Sequence, residues 1–332
     1  MEKKKSNPLS KLFKMQESSV LLIVVGYAII VTLINNAFIT PSNLINVFRS
    51  TGYTLIPALG MTLVFICGGL DISIGSTLAL GSTVSAIAAQ AGVPAGMALI
   101  LGCLSGLLVG MINGYLIVNV GISSLIVTLG TQYAGRGVVY ILTKGVAVYP
   151  LPDNFQAIEQ TTIVNIPMIV IVAVILSVIF HILMKKTTYG RSLYAVGGNL
   201  ESARLAGIKI KGTSMAAYAI TGVLAAFTGV MMAARLGSGQ ASSGEGLEMT
   251  VIAACVIGGT SVSGGSGTIL GTVLGALFMS VLENSMTLMK VSVYWQKVVI
   301  GAILIGACVI DIFKQKSALK ADVNAMEKEK AK

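Results

Sequence analysis

Charged side chains are scarce in this sequence, at 11% of its 332 residues, whereas 55% are hydrophobic and the mean hydropathy is +0.86. Soluble globular domains carry about 25% charged residues. The shortage of charge therefore excludes a soluble globular protein. It predicts an all-α polytopic membrane protein, in which long apolar helices cross the lipid bilayer.

Acidic residues are scarcer than basic ones, with 13 Asp and Glu against 23 Lys and Arg and a net charge of +10. Most of the basic residues lie in residues 1–17, in residues 185–214, called the central segment below, and in residues 314–332. Lys and Arg concentrate on the cytoplasmic side of membrane proteins. We therefore interpret the charge as a signal of orientation, with both termini cytoplasmic, and expect no nucleic-acid partner.

Histidine and cysteine, which often build metal or nucleophilic sites, are rare. The one histidine, His181, lies near the end of an apolar stretch, where packing is favoured over catalysis. The four cysteines fall in apolar stretches without Cys-x-x-Cys spacing, so neither disulfides nor a metal site are predicted. We expect no catalytic residue. The cysteines are Cys67, Cys103, Cys255 and Cys308.

Lysine is missing between Lys211 and Lys290, which decides how the glycine-rich stretch 259–265 is interpreted. A phosphate-binding loop needs a lysine to reach the phosphates. We therefore expect this chain neither to hydrolyse a nucleotide by itself nor to bind a cofactor. Any ATP and magnesium would belong to a partner chain.

The apolar stretches predict about ten transmembrane helices. Two of the runs, 55–67 and 249–257, are too short to cross ~30 Å of hydrocarbon, and each ends at two consecutive glycines. They count as Gly-broken elements, and a short amphipathic segment, 44–54, is predicted at the outer face. The predicted spans are residues 18–38, 55–67, 72–89, 95–118, 122–142, 163–184, 215–234, 249–257, 268–289 and 294–313.

These spans define a single membrane domain, residues 18–313, which contains the central segment. A basic cytoplasmic tail, residues 1–17, precedes it. A charged tail, residues 314–332, follows it, and we expect this tail to be soluble and cytoplasmic.

The two glycine-broken stretches resemble each other. Residues 66–81 and 256–271 align without gaps at an offset of 190. Paired Gly-interrupted segments in two halves of a chain point to a transport pathway at a repeat interface. The alternative is that small residues recur because they let membrane helices approach closely; we favour the repeat. The identical pairs are Gly68/Gly258, Gly69/Gly259, Ser73/Ser263, Gly75/Gly265, Ser76/Ser266, Leu80/Leu270 and Gly81/Gly271.

Polar residues inside the apolar stretches are the candidates for a translocation pathway. Asp71 is the most informative, because a carboxylate between two apolar runs is costly unless it faces water, a polar partner or the protein interior. It either lines a pathway or caps the helix that begins near Ile72. For the other candidates, gluing helices together is the alternative. They are Ser73, Asn113, Ser124, Thr128, Gln132, Ser261, Glu283 and Asn284.

The central segment predicts one short helix, residues 200–206. Asn199 is a good N-cap, Glu201 follows in the first turn, and Gly207 with Ile208 forms a C-terminal stop. So short a helix is marginal in water and should be held by docking. The segment is either a solvated basic loop or a surface for a cytoplasmic partner.

Four stretches taken together carry a resemblance: GLDISIGS (69–76), SLIVTLGT followed by Arg136-Gly137 (124–137), GRSLYAVGGNLESARLAGI (190–208) and VIGGTSVSGGSGTILGTVLGAL (256–277). The chain resembles the membrane permease of ribose-type sugar ABC importers. The resemblance implies a bacterial inner-membrane protein that works as a homodimer with a cytoplasmic ABC ATPase and an extracellular or periplasmic sugar-binding protein.

The resemblance also implies that the central segment couples the permease to the ATPase. Glu201-Ser202-Ala203 with Gly207 matches the family's Glu-Ala-Ala element, except that Ser202 replaces the first alanine. The family includes permeases for several sugars, and the sequence does not separate them. The implied coupling residues are Gly190, Arg191, Gly197, Gly198, Asn199, Glu201, Ala203, Gly207 and Ile208.

Two other functions remain open from the sequence. An ion-coupled secondary transporter would use Asp71 and Glu283 as coupling carboxylates. A membrane scaffold would only recruit a cytoplasmic protein through the central segment.

Overall fold

The computed structural model describes the backbone of residues 16–330 and the side chains of residues 17–313. It shows an all-α polytopic membrane protein. In the described part, seven helices are long and apolar enough to cross a membrane. The helices are α1 (Gln16–Ile34), α2 (Pro41–Ile66), α3 (Ile74–Gln90), α4 (Ala95–Tyr115), α5 (Ser124–Thr143), α6 (Asp153–Gln160), α7 (Met168–Lys186), α8 (Thr188–Gly198), α9 (Leu200–Leu205), α10 (Ile210–Leu236), α11 (Leu247–Ile257), α12 (Ile269–Leu288) and α13 (Val293–Lys330).

Three short elements connect the helices. A 3-10 turn, Asn36–Ile39, leads from α1 to α2, and a π-helical turn, Leu116–Val120, ends α4. Strands β1 (Thr162–Ile163) and β2 (Ile166–Pro167) form a two-stranded antiparallel hairpin before α7, in which Ile163 pairs with Ile166.

The core is built from α2, α3, α10, α11 and α12. The part of α2 from Thr51 to Ile66 is buried throughout. In the most apolar stretch of 18 residues in α10, 61% of the residues are buried, and the share in α12 is the same. In α13 that share is 0%, and α1, α4, α5 and α7 expose rows of large apolar side chains. Apolar side chains at an exposed surface are stable only against lipid or another apolar surface, so these five helices form the lipid-compatible outside.

Small residues let the core helices touch through their backbones. A Cβ at Gly222 of α10 would collide with the carbonyl oxygen of Gly106 in α4, and one at Gly81 of α3 would collide with Ala226 of α10. Buried hydroxyls add cross-links, such as the 2.6 Å hydrogen bond between Thr62 and Thr272. Close approach and hydroxyl bonding replace the hydrophobic effect, which does not draw helices together in lipid.

Both glycine-interrupted stretches begin with the same kind of helix end. After α2, Gly68 has φ +82° and Gly69 N–H donates to the carbonyl of Val64. After α11, Gly259 has φ +86° and Thr260 N–H donates to the carbonyl of Cys255. These are Schellman motifs, which place a left-handed residue just past the helix. Gly68 therefore corresponds in geometry to Gly259 and not to Gly258, with which the alignment at an offset of 190 pairs it.

Several expected boundaries were wrong. Residues 44–54 and 55–67 form one helix, α2, rather than an outer amphipathic segment and a short run. The helix continues through Pro57 because its second half is packed on all sides, and tertiary packing supplies most of a helix's stability. The helix of α13 continues past residue 313 to Lys330, so the predicted span 294–313 is shorter than the helix that contains it.

The glycine contact between α4 and α10 generates a stability prediction. Gly222→Ala should lower the apparent melting temperature of the detergent-purified protein, because the added methyl group meets the backbone of Gly106; overpacking costs about 1–3 kcal/mol. Gly130→Ala is the matched control, since its Cβ would meet no atom within 4 Å and alanine favours helix by about 0.5–1 kcal/mol. Equal melting temperatures for the two variants would contradict the packing described here.

Candidate functional site

The short helix predicted in the central segment is confirmed as α9. Asn199 Oδ1 accepts a hydrogen bond of 2.9 Å from the N–H of Ser202. At the other end Gly207 has φ +74°, and Ile208 N–H donates to the carbonyl of Ala203. Both ends of α9 are therefore capped, as the sequence indicated.

One face of α9 is buried and the other is open. Ala203 is buried, whereas Leu200 and Leu205 are 57% and 82% exposed and Glu201 is exposed. Beside this face lies an open groove of about 490 Å³. The groove is lined by Val118, Leu200, Glu201, Arg204, Lys209, Ile210, Lys211 and Gly212. Exposed leucines flanked by charges are suited to docking against another protein.

A second helix in the central segment, α8, was missed by sequence reading. It begins where the Thr187 side chain caps the N–H of Gly190, and it buries Leu193 and Val196. Gly190 lies directly against the carbonyl oxygens at the end of α7, while Arg191 is exposed. The paired glycines at the end of α8 resembled a loop, which hid the helix.

The end of α8 touches both glycine-interrupted stretches through backbone atoms. A Cβ at Gly197 would collide with the carbonyl oxygen of Ile66, and this same oxygen accepts a 2.9 Å hydrogen bond from the N–H of Gly265. Tyr194 of α8 adds a 2.8 Å hydrogen bond to the carbonyl of Gly267. Close backbone contacts bring five glycines together here: Gly68, Gly197, Gly198, Gly264 and Gly265. We call this group the glycine junction.

Near the first interrupted stretch, predicted pathway residues form a hydrogen-bonded chain. Asp71 Oδ1 accepts from both the N–H and the hydroxyl of Ser73, at 2.9 and 2.6 Å. Asn113 Nδ2 donates to Ser73 Oγ at 2.9 Å, and Asn113 Oδ1 accepts from Thr131 at 2.7 Å. Helix α3 has Ser73 as its N-cap and no side-chain cap, so the bond from the Ser73 N–H to Asp71 closes a turn before the helix and does not cap it. The chain ties α3 to α4 and α5.

The remaining candidates on α5 are arranged around the same corner. Gln132 Oε1 accepts a 2.8 Å hydrogen bond from the N–H of Ser76 in the first turn of α3. Thr128 is buried and donates to the carbonyl of Ser124 within α5. Thr131 and Gln132 are therefore the residues of α5 that reach the first interrupted stretch.

The other predicted pathway residues contact different partners. Ser261 Oγ accepts from the N–H of Ser263 and lies 3.4 Å from Asp311 of α13. Glu283 accepts from Thr250 at 3.1 Å, which joins α12 to α11. The amides of Asn284 and Asn43 exchange two hydrogen bonds of 2.9 and 3.0 Å. These contacts fit the alternative of polar glue between helices.

Two charged residues were missed as candidates: Glu248, which contacts the first interrupted stretch, and Arg136, which contacts the loop between α10 and α11. Glu248, which lies between the predicted spans 215–234 and 249–257, is buried in the first turn of α11 and packs onto Gly75. Arg136 of α5 donates hydrogen bonds to the carbonyls of Ala241 and Ser243. Arg136 is the one basic residue within the predicted span 122–142, and an ionisable residue inside a span is a functional candidate by default.

Comparison with known proteins agrees with this architecture. The family model of the branched-chain amino acid transport system permease component matches residues 43–308. The ribose import permease protein of Bacillus subtilis is 38% identical over 292 residues, which are 87% of this chain and 90% of the relative. The autoinducer 2 import system permease protein of Klebsiella pneumoniae is 33% identical over 303 residues, or 91% and 88% of the two chains. No solved structure matches. The resemblance found in the sequence is confirmed.

The glycine junction predicts that two adjacent alanine substitutions differ. Gly197→Ala should lower the apparent melting temperature by several degrees, because its methyl group has no space beside the Ile66 carbonyl. Gly198→Ala is the matched control, since a Cβ there meets no atom within 4 Å. Thermal unfolding of the two purified variants measures the difference. If both melt like the unsubstituted protein, the close contact at Gly197 does not exist in solution.

Proposed function

Because the chain belongs to the branched-chain amino acid transport system permease component family, we propose that it is the membrane permease of an ABC importer. Its cargo is a monosaccharide, with ribose or a related sugar favoured. The similarity to the ribose import permease of Bacillus subtilis supports this cargo. An extracellular or periplasmic binding protein delivers the sugar, and a second copy of the permease completes the pathway.

Capped helix α9 is the observation that carries the proposal. It presents exposed Leu200, Glu201 and Leu205 while Ala203 holds it to the protein. A helix of six residues does not persist alone in water, so its caps and its buried face keep it ready for a partner. We assign that partner as the cytoplasmic ABC ATPase, which holds ATP and magnesium, while this chain holds no cofactor.

The glycine junction supplies a route for force from the ATPase. Movement of α9 displaces α8, whose end meets α2 at Ile66 and the stretch before α12 at Gly265. At these two contacts the backbones touch directly, without flexible side chains between them. Because packed cores are not continuously deformable, direct contact transmits a movement of α8 to the neighbouring elements. Rocking of the two interrupted elements then switches access to the pathway.

The same assignment sets the topology. With the central segment and both termini in the cytoplasm, α2, α3 and α11 join the seven candidate spans to give ten crossings in the inner membrane. Residues 18–313 act as one membrane domain. The two interrupted elements form an internal repeat around the pathway.

Reconstitution distinguishes this proposal from an ion-coupled transporter. Proteoliposomes that contain the permease, its ATPase and its binding protein should accumulate radiolabelled D-ribose, or another sugar from a panel of pentoses and hexoses, only with ATP. Uptake by the permease alone, driven by a proton or sodium gradient and indifferent to ATP, would establish coupling through Asp71 and Glu283 instead. A scaffold would transport none of these sugars in either arrangement.

The role of α9 predicts the effect of a charge reversal. Glu201→Lys should lower ATP-driven uptake at least about tenfold and weaken co-purification of the ATPase, because it reverses the charge of the exposed face and places a cation at a helix N-terminus. Asp153→Lys, an exposed acid in the first turn of α6, is the control and should leave both unchanged. Equal uptake by the two variants would remove α9 from the coupling route.

A further inference from the structure

Glu248 has an unusual environment for a carboxylate. It lies in the first turn of α11 with 9% of its surface exposed, and its Oε2 atom is buried without a hydrogen-bond partner among the described residues. A buried charged oxygen without a partner costs several kcal/mol in an apolar medium. Each such atom in a native protein needs an explanation, and a functional role is one of them.

Glu248 Oε2 occupies space that is free because residue 75 is a glycine. Gly75 lies in the first turn of α3, and a Cβ there would collide with Glu248 Oε2. The same Cβ would lie 3.2 Å from Gln132 Nε2, a hydrogen-bond donor. A carboxylate acceptor and an amide donor therefore meet over the backbone of one glycine, where the N-terminus of α3 favours negative charge.

A second charged group, Arg136, borders the same region and has a hydrogen-bond donor that no described residue accepts from. Arg136 uses Nη1 to donate to the carbonyls of Ala241 and Ser243, but its Nη2 is buried without a hydrogen-bond partner in the part of the chain that the structure describes. The next residue after Ser243, Gly244, has its carbonyl oxygen against Gly75, so Arg136 borders the same region. The side chains of Arg136 and Glu248 are not within the 4 Å of an ion pair in the described residues.

We propose that Glu248, Arg136 and Gln132 form a binding subsite for adjacent hydroxyl groups of the transported solute. A sugar hydroxyl both donates and accepts, so one hydroxyl donates to Glu248 Oε2 while its neighbour accepts from Arg136 Nη2 or Gln132 Nε2. Hydrogen bonds to charged groups are roughly twice as strong as neutral ones, which suits a solute that has lost its water. The subsite rests on the proposed function.

A cation fits these residues less well than a polyol does. No group of three or more His, Cys, Asp or Glu side chains that could hold a metal occurs in the described residues. Glu248 is a single carboxylate, and the guanidinium of Arg136 repels a cation. Two donors and one acceptor match a pair of hydroxyls instead.

The subsite is shut in this conformation, since both unpaired atoms are buried. The loop between α10 and α11 covers it and is held to α5 by the two Arg136 bonds. A solute reaches Glu248 when this loop parts from α5 during the transport cycle. Binding is therefore weak and transient, in keeping with a transit point rather than a receptor.

Saturation-transfer NMR on the permease–ATPase complex, with and without a non-hydrolysable ATP analogue, tests the subsite with D-ribose and a panel of other pentoses and hexoses as probes. A sugar signal should appear with the unsubstituted complex and fall at least about fivefold with Glu248→Gln, which keeps the side-chain size. Glu245→Gln, an exposed acid three residues earlier, is the control and should keep the signal. The absence of a signal for every sugar in the unsubstituted complex, or an unchanged signal with Glu248→Gln, overturns the subsite.

Two further readouts separate a binding role from a structural one. Glu248→Gln should keep the melting temperature of the complex; a lower melting temperature together with the loss of the signal shows that Glu248 only supports the fold. If Glu248→Gln fails to fold, Glu248→Asp takes its place, and an unchanged signal there overturns the subsite. Uptake assays that include the binding protein distinguish the two proposals. Equal uptake by the unsubstituted transporter and the Glu248→Gln variant would refute the subsite alone. No ATP-driven uptake by the unsubstituted transporter would refute the proposed function.

Discussion

Backbone-to-backbone contact is the constraint on which this membrane protein depends. Lipid is as apolar as a leucine side chain, so the hydrophobic effect that assembles soluble proteins does not draw these helices together. Instead, glycines lie where helices cross, as Gly222 does against Gly106 and Gly197 against Ile66. Dispersion forces grow steeply as atoms approach, so close contact over many atoms replaces burial from water. A methyl group at these points is then enough to disturb the packing.

Polar side chains complete what close packing begins. Asp71, Ser73, Asn113 and Thr131 satisfy one another across three helices, and Asn43 pairs with Asn284 across two more. In apolar surroundings, a polar group that loses its protein partner finds no water to bond instead. Each hydrogen-bonded pair therefore fixes the register of the helices that it joins. Most of the polar groups predicted for a pathway bond other polar groups of the protein in this way. Glu248 and Arg136 differ from them because each keeps one buried atom unpaired in the described chain.

Local signals in the sequence were sufficient for some elements and not for others. Helix α9 was predictable because Asn199 and Gly207, its two caps, are neighbours of the residues they cap. Helix α8 was not, since Gly197 and Gly198 look like loop residues until Ile66 and Gly265, far away in sequence, are seen to need their space. Packing also carried α2 through Pro57, against its local signals. Glu248 was misplaced for the same reason: only the folded chain brings it back onto Gly75.

The short stretch between α2 and α3 connects the two ends of the proposed mechanism. Gly68 belongs to the glycine junction, and Gly75, seven residues later, forms the floor beneath Glu248. Between them Asp71 and Ser73 are joined by hydrogen bonds of 2.6 and 2.9 Å, and Asn113 of α4 bonds Ser73 in turn. In the proposed mechanism, this stretch is the route by which a shift of α8 at the junction would reach the first turn of α3. The glycine under Glu248 then moves relative to Arg136 on α5, and coupling and solute access become two consequences of one displacement.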